Sequence, residues 1–291
     1  MINLGGELKT LLRHGATYGF GSLLSRIVGF LMIPVYTHYL KTSDYGINEI
    51  VGLTAEVIGI VLSLGIAGAI NRFYYDKEIK NPNLVVSSTF VGVPLLGFIV
   101  LGVLSLFSRE LAGLILEEKD QWIYIFLALC TLWFNQTFHL VYAYLRVREK
   151  SITYVTLSLS KLAVALSLNI YFIVILEWGV LGLFISNLIT AGIFCVSVFP
   201  WYLREVGTAF SFQIVKKMLR FSLPIIPANL ASLVVNASDR YFIKAFLSLS
   251  DVGVYALGYK LGNVVFYLIR VPFMQIWDPR RYALYKEDAP L

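Results

Sequence analysis

Charged residues are unusually few in this sequence. Asp, Glu, Lys and Arg together make up 14% of its 291 residues, whereas a soluble globular protein carries about 25%. Cysteine is scarce as well, and Cys130 and Cys195 both lie inside apolar runs. We therefore interpret the two cysteines as small side chains of a membrane core and not as a disulfide or a metal site.

The motifs of enzymes and of nucleic-acid-binding proteins are also missing. The sequence shows no nucleophile triad, no metal-ligand cluster and no Gly-rich phosphate loop, and its longest loops, 71–83, 108–120 and 202–220, are short. The excess of basic residues, +6, is scattered at helix ends and forms no patch for nucleic acid. We expect no enzymatic activity, no cofactor, no metal and no nucleic-acid partner.

Long apolar runs dominate instead. Apolar residues make up 58% of the chain, its mean hydropathy is +0.73, and runs of roughly 20 apolar residues indicate membrane-spanning helices. The runs do not alternate as the strands of a membrane β-barrel would. We predict an all-α polytopic membrane protein with about eight transmembrane helices. The predicted spans are 16–38, 46–70, 84–107, 121–144, 152–176, 179–201, 221–246 and 252–276.

A weak internal echo predicts how these helices are grouped. Residues 39–46 read YLKTSDYG and residues 246–253 read FLSLSDVG, 207 residues later. Repeated multi-helix units are typical of secondary transporters. We therefore predict a complete six-helix bundle (1–202), a cytoplasmic amphipathic linker (203–220) and the first two helices of an incomplete, parallel second bundle (221–291). Because two full repeats need about twice 207 residues, we interpret the chain as a fragment or a prematurely terminated product.

The basic residues predict the orientation. With the N-terminus in the cytoplasm, fifteen Lys and Arg residues fall in inner segments and four fall outside or near the outer edge. The four are Lys41, Arg109, Lys119 and Lys244. Cytoplasmic loops carry such an excess of Lys and Arg, so we expect a cytoplasmic N-terminus.

Charged residues inside the predicted spans are the candidate functional residues, because a charge at bilayer depth is costly and usually faces a bundle interior or a wet cavity. The cations are Arg26, Lys161, Arg240, Lys260 and Arg270, and the acids are Glu49, Glu56 and Asp239. Cations outnumber acids, which predicts a cavity that suits an anionic passenger. We expect the five cations to bind substrate and the three acids to serve in ion coupling or in structural ion pairs.

Structural interpretations of the same residues remain open. Glu49 and Glu56, seven residues apart and on one face, could pair with Arg26 or Lys161. Arg270 could reach the inner interface with its long side chain. His139 is typical of helix–helix hydrogen bonding as well as of a proton relay.

Two stretches of the sequence resemble polysaccharide-biosynthesis flippases of the multidrug/oligosaccharidyl-lipid/polysaccharide superfamily. They are SLLSRIVGFLMIPVYTHYLKTSDYGINEI (22–50) and NASDRYFIKAFLSLSDVGVYALGYKLG (236–262). The first also resembles lipid II flippases, which carry an Arg-Asp pair where this chain has Met32 and Ile33. That departure argues against lipid II as the substrate. At the 207-residue offset, Asp239 and Arg240 occupy the corresponding places.

The resemblance implies an inner-membrane transporter with two six-helix bundles around a central cavity. It would move an undecaprenyl-diphosphate-linked oligosaccharide to the periplasmic leaflet by alternating access. Cavity cations would hold the diphosphate, and Arg26, Arg240 and Lys260 are the positions that we assign to this role. Membrane lipids and polysaccharide assembly proteins are the further partners that it implies.

Other functions stay open from the sequence. A cation-coupled multidrug exporter of the same superfamily would need a dominant acidic site, and the excess of cations disfavours it. A membrane-embedded polymerase or acyltransferase would need paired catalytic residues that we do not find. An inactive truncated flippase, or one that binds assembly proteins without transport, is the remaining alternative.

Overall fold

The computed structural model describes residue 24, residues 27–79 and residues 81–265. Within these residues the regular structure is helical. Numbered along the chain, the helices are α1 (Ile33–Tyr39), α2 (Thr42–Ser63), α3 (Ile66–Phe73), α4 (Pro82–Leu106), α5 (Ser108–Ile115), α6 (Trp122–Val147), α7 (Ser151–Asn169), α8 (Gly179–Val206), α9 (Phe212–Ser222), α10 (Ile225–Phe246) and α11 (Leu249–Val265). A π-helical turn, Ile170–Ile175, continues α7.

Five helical segments are long and apolar enough to cross a membrane, and they confirm the second to sixth predicted spans. They are Thr42–Phe73, Pro82–Leu106, Lys119–Val147, Ser151–Ile175 and Gly179–Val206. The seventh predicted span corresponds to α9 and α10, which pass the same test together as a pair bent by 44°. The predicted spans 16–38 and 252–276 extend into residues outside the described ones, and their described parts, Ile27–Tyr39 and Leu249–Val265, are helical.

Helix α6 lies at the centre of the helices that precede residue 203 and packs against α8, α4 and α2. From Thr137 to Val147 it is largely buried, with His139 and Arg146 exposed. Polar side chains tie it to its neighbours, as in other membrane bundles. The Trp133 indole donates to the Pro94 carbonyl of α4 at 2.9 Å, and the Gln136 amide donates to the Gly59 carbonyl of α2 at 2.9 Å.

Two spans are broken, and their breaks touch. Between α2 and α3, Leu64 and Gly65 both adopt a left-handed backbone, with φ of 48° and 62°. The second break lies between Ser222 and Ile225, where Pro224 caps α10. A Cβ on Gly65 would lie 3.0 Å from the Ser222 Cβ, so the glycine permits both the left-handed turn and the close approach.

An amphipathic helix lies in the region predicted as the linker. Helix α8 continues to Val206, residues 207–211 are not helical, and α9 follows after a Ser211 cap. Met218 is buried on one face of α9, whereas Lys216, Lys217 and Arg220 are exposed. The predicted limits of the linker and of the two bundles remain a prediction, since α8 and α9 both overlap residues 203–220.

Candidate functional site

Helices α2 and α11 pack with their backbones in direct contact at the ends where both begin. A Cβ on Gly46 would lie 1.8 Å from the Leu249 carbonyl oxygen, and a Cβ on Gly253 would lie 2.0 Å from the Thr42 carbonyl oxygen. Such an approach is open to glycine alone, and small residues are typical of close helix packing in membranes. We call this contact, with the neighbouring part of α10, the α2–α11 junction.

The two sides of this contact are the two copies of the sequence echo. Gly46 and Gly253 hold equivalent places in YLKTSDYG and FLSLSDVG, and so do Thr42 and Leu249. Each glycine therefore meets the carbonyl that is equivalent to the one its counterpart meets. Reciprocity of this kind is the mark of a two-fold contact, which means that the copies pack against each other across a local pseudo-two-fold axis.

Both copies also begin their helices with an acidic cap. The backbone N–H of Lys41 donates to Asp44 Oδ2 at 3.0 Å, and the backbone N–H of Asp251 donates to Ser248 Oγ at 3.2 Å while the Ser248 hydroxyl donates to Asp251. A carboxylate near a helix start stabilises the unpaired N–H groups there. The hydroxyls of Thr42 and Ser250 are hydrogen-bonded across the contact.

An ion cluster lies beside the glycine contact, and it brings together four of the predicted site residues: Glu49, Asp239, Arg240 and Lys260. Arg240 Nε lies 3.4 Å from Glu49 Oε1, and Lys260 Nζ lies 3.7 Å from Glu49 Oε2. Arg240 Nη1 also lies 2.7 Å from Asp239 Oδ1. One carboxylate of α2 thus bridges cations from α10 and α11.

Burial separates the members of the ion cluster. The Arg240 side chain is 5% exposed and Glu49 17%, whereas Lys260 is 43% exposed. A buried ion pair is strongly coupled because water screens it little. Arg240 is therefore held between two carboxylates, hydrogen-bonded to Asp239 and ion-paired with the nearly buried Glu49, and Lys260 is the cation that remains accessible.

Three tyrosines that sequence reasoning did not select frame the ion cluster. The Arg240 guanidinium lies 4.1 Å from the centre of the Tyr259 ring and 5.5 Å from that of Tyr255, and Lys260 Nζ lies 5.7 Å from the Tyr45 ring. The Tyr255 hydroxyl donates to Asp239. Aromatic faces stabilise desolvated cations. The four-residue spacing of Tyr255 and Tyr259 on α11 is the signal that could have found them.

Lys161 lies apart from the ion cluster, between α7 and α6. Its Nζ donates to Asn135 Oδ1 of α6 at 2.7 Å and lies 4.9 Å from the centre of the Phe138 ring. No carboxylate of the described chain lies within ion-pairing distance of it. Glu49 pairs with Arg240 and Lys260 instead of with Lys161, which was one of the structural interpretations considered.

The other predicted charges fall elsewhere. Glu56 is exposed on α2, seven residues beyond Glu49, and forms no ion pair within the described segments. Arg26 and Arg270 lie outside the described residues. Within the ion cluster two cations face two carboxylates, so the predicted excess of positive charge in the cavity rests on Lys161, Arg26 and Arg270 and remains a prediction.

The fold defines the structural class of the protein. The Vibrio cholerae MATE transporter VcmN, solved as a mutant, has the same fold at a TM-score of 0.63, with 18% identity over 89% of this chain and 62% of that one. The protein is an all-α, multi-pass membrane protein. A family profile described as polysaccharide biosynthesis protein matches residues 11–280. The chain belongs to that family, which confirms the resemblance found in the sequence.

One curated relative agrees with this assignment. The Lsg locus putative protein 1 of Haemophilus influenzae is 25% identical over 263 residues, which cover 87% of this chain and 61% of the relative. The chain thus spans about three fifths of the length of both proteins.

Proposed function

We propose that this protein is a transporter that moves an undecaprenyl-diphosphate-linked oligosaccharide across the bacterial inner membrane by alternating access, for surface polysaccharide biosynthesis. Family membership and the fold support a transporter in polysaccharide biosynthesis rather than an enzyme. The N-terminus lies in the cytoplasm in this proposal, and assembly proteins of the same polysaccharide are the expected partners.

The observation that carries the proposal is the bridge from Glu49 to Arg240 and Lys260. Two cations that converge on one carboxylate also suit a diphosphate, whose oxygens form the same charge-assisted hydrogen bonds. Substrate oxygens would replace Glu49 at the accessible Lys260 first. The guanidinium of Arg240 is already desolvated and stays paired with Asp239, so the exchange adds no desolvation cost for Arg240 itself.

The α2–α11 junction supports alternating access. In the proposed orientation the starts of α2 and α11 lie at the periplasmic side, where the glycine contact and the Thr42–Ser250 hydrogen bond hold them together. An ion pair between Lys244 of α10 and Glu117 lies at the same side. In this proposal the α2–α11 junction closes the periplasmic side, and release of substrate there requires these contacts to separate.

Surface polysaccharide is the readout that tests the proposal. A strain that lacks the gene is complemented with the wild-type protein, with Arg240→Gln or with Arg109→Gln. Arg109 is the matched control, because its ion pair with Asp120 is exposed and includes no member of the ion cluster. We expect Arg240→Gln to abolish surface polysaccharide and to accumulate its lipid-linked precursor in the inner leaflet. Normal polysaccharide from Arg240→Gln at equal membrane abundance would contradict the proposal.

A cation-coupled drug exporter is the second candidate, favoured by one observation. Glu56 is an exposed carboxylate at membrane depth without a cationic partner in the described part of the chain, and such a group attracts cations. Increased drug susceptibility of the deletion strain, restored by wild type and not by Glu56→Gln, would support this function. Unchanged susceptibility together with lost polysaccharide would exclude it.

A further inference from the structure

Two of the tyrosines that frame the ion cluster form an exposed aromatic surface on α11. Tyr255 and Tyr259 have ring centres 6.2 Å apart and ring planes inclined by 31°. The two residues are 38% and 37% exposed. Because residues four positions apart are neighbours on one face of a helix, the two rings present one continuous surface. We call Tyr255 and Tyr259 the tyrosine pair.

The surface around the tyrosine pair is polar as well as aromatic. Asp239 of α10 is partly exposed, and so is Lys260, which follows the pair on α11. Asn236, one turn before Arg240 on α10, is exposed too. Charged side chains at membrane depth face a protein interior or a water-filled cavity and not hydrocarbon. The exposed rings of the tyrosine pair therefore belong to a polar surface and not to one that faces lipid.

Asp239 can accept a further hydrogen bond at this surface. A carboxylate has about four lone-pair sites. Asp239 Oδ1 accepts from the backbone N–H of Arg240 at 3.0 Å and from Arg240 Nη1 at 2.7 Å, and Oδ2 accepts from the Tyr255 hydroxyl. The described chain thus supplies three donors, which leaves about one site on Oδ2. That site lies on the oxygen next to the tyrosine pair.

A sugar has the chemistry that suits this surface. The faces of a pyranose ring carry C–H groups, which the negative face of an aromatic ring attracts, and its edges carry hydroxyls, which donate to carboxylates. The carboxylate of Asp239 would repel a phosphate placed against the tyrosine pair. An isoprenoid chain there would take the same carboxylate out of water and offer it no donor. Asp239 therefore favours a sugar over the other two parts of a lipid-linked oligosaccharide.

Arg240 connects this surface to the position proposed for the diphosphate. Its Nε lies 3.4 Å from Glu49 Oε1, and its guanidinium carbon lies 4.1 Å from the centre of the Tyr259 ring. In a diphosphate-linked oligosaccharide the first sugar is bonded directly to the diphosphate. A substrate whose phosphates replace Glu49 at Arg240 and Lys260 would therefore carry its first sugar toward the tyrosine pair.

We propose that the tyrosine pair binds the first sugar of the lipid-linked substrate, with Asp239 accepting a hydrogen bond from a sugar hydroxyl. The inference rests on the proposed function, and it assigns separate places to the diphosphate and to the sugar within one site. Arg240 and Lys260 hold the charge of the substrate, and the rings of Tyr255 and Tyr259 hold its carbohydrate.

Two lipids that differ only in the sugar test the proposal. The purified protein in detergent is titrated with undecaprenyl diphosphate, and in parallel with undecaprenyl diphosphate that carries one glucose. Bound lipid is counted by native mass spectrometry. Glucose is the probe because its equatorial hydroxyls leave both faces of its ring apolar. The quantity compared between variants is the sugar preference, which is the Kd of the bare lipid divided by the Kd of the glucosylated lipid.

Tyr259→Leu removes one aromatic ring, and Tyr259→Phe keeps it. We expect wild type and Tyr259→Phe to prefer the glucosylated lipid about five-fold and Tyr259→Leu to bind both lipids equally. The lost ring contact with Arg240 weakens both lipids alike and leaves the sugar preference unchanged. Tyr171→Leu is the matched control and should keep the preference, because Tyr171 is an exposed tyrosine that packs on Phe172. Tyr255→Leu gives the same comparison if Tyr259→Leu does not elute as a single species.

Three results would overturn the proposal. They are no binding of the glucosylated lipid to wild type, equal binding of the two lipids to wild type, and the same sugar preference in Tyr259→Leu as in wild type. In the last case, weaker binding of both lipids would make Tyr259 a partner of Arg240 or of the isoprenoid chain. Failure of the transport proposal is separate, because it is read from the polysaccharide of Arg240→Gln and not from the sugar preference.

Discussion

Arg240 of α10 and Glu49 of α2 form an ion pair across the α2–α11 junction, with Nε 3.4 Å from Oε1 and the Arg240 side chain 5% exposed. The pair joins residues that are 191 positions apart in the sequence. Arg240 keeps a second carboxylate, Asp239, on its own helix. Glu49 therefore links the two helices by charge, beside the hydrogen bond between Thr54 and Tyr241, and Asp239 keeps Arg240 paired on its own side.

Removing the charge of Glu49 should destabilise the protein. Among the described residues, Glu49→Gln leaves Lys260 without an ion-pair partner and Arg240 with Asp239 alone, and breaking a buried pair costs about 3–5 kcal/mol. Because Asp239 remains, we expect a loss of unfolding free energy at the low end of this range, about 3 kcal/mol. It would be detected as a lowered Tm in detergent. Asp120→Asn is the control, because Asp120 and its partner Arg109 are 96% and 66% exposed and exposed pairs contribute about 0–1 kcal/mol. Equal effects of the two changes would contradict this account.

A methyl group at the glycine contact should separate α2 from α11. Gly46→Ala and Gly253→Ala each place a Cβ about 2 Å from a backbone carbonyl oxygen, and overpacking of this kind typically costs about 1–3 kcal/mol. We expect a lower Tm and lost surface polysaccharide for both. Gly52→Ala and Gly258→Ala, on the same two helices with open space around them, should keep wild-type levels of both. Tolerance of Gly46→Ala would show that the contact is not needed.

A disulfide between the starts of α2 and α11 should stop transport reversibly. Thr42→Cys with Ser250→Cys, in a chain whose Cys130 and Cys195 are replaced by Ser, puts two thiols where two hydroxyls now hydrogen-bond. We expect oxidation to cross-link them and to block export of the oligosaccharide in membrane vesicles, and reductant to restore it. Each single Cys variant controls for the substitution itself. Export that continues in the cross-linked protein would contradict opening at the α2–α11 junction.

Replacing Lys161 should affect function without lowering stability. Because Lys161 has no carboxylate partner among the described residues, Lys161→Met leaves no buried charge unpaired, and an apolar side chain of similar length is often neutral or stabilising at such a position. We expect an unchanged or higher Tm together with reduced surface polysaccharide, which is the opposite of a structural ion pair. A lower Tm with normal polysaccharide would show that Lys161 is structural.

Apolar runs predicted where the chain crosses the membrane, because in lipid every backbone N–H and C=O must be paired within the span. They could not predict how each helix is rotated or which charges meet. The seven-residue spacing correctly places Glu49 and Glu56 on one face of α2, yet Glu49 meets two cations and Glu56 is exposed. That difference depends on where α10 and α11 dock, which is a matter of packing far along the chain.

The sequence echo predicted a repeat but not its contact. Similar segments indicate similar helix starts, and both copies do begin with an acidic cap. Nothing in the letters shows that Gly46 and Gly253 meet, because two equivalent helices can lie far apart in a transporter. The left-handed backbone at Leu64 could not be predicted from the sequence either, since that conformation is uncommon for a residue other than glycine.

The glycine contact also has a consequence for how the chain assembles. Gly46 and Gly253 lie more than 200 residues apart, and contacts between distant segments form late, since the intervening chain must be in place first. While the protein is being synthesised, α2 is made long before α10 and α11. The carboxylate of Glu49 is therefore made before either of the two cations that it bridges in the folded protein. Pairing of Glu49 would therefore mark the moment at which synthesis and insertion have proceeded through α11.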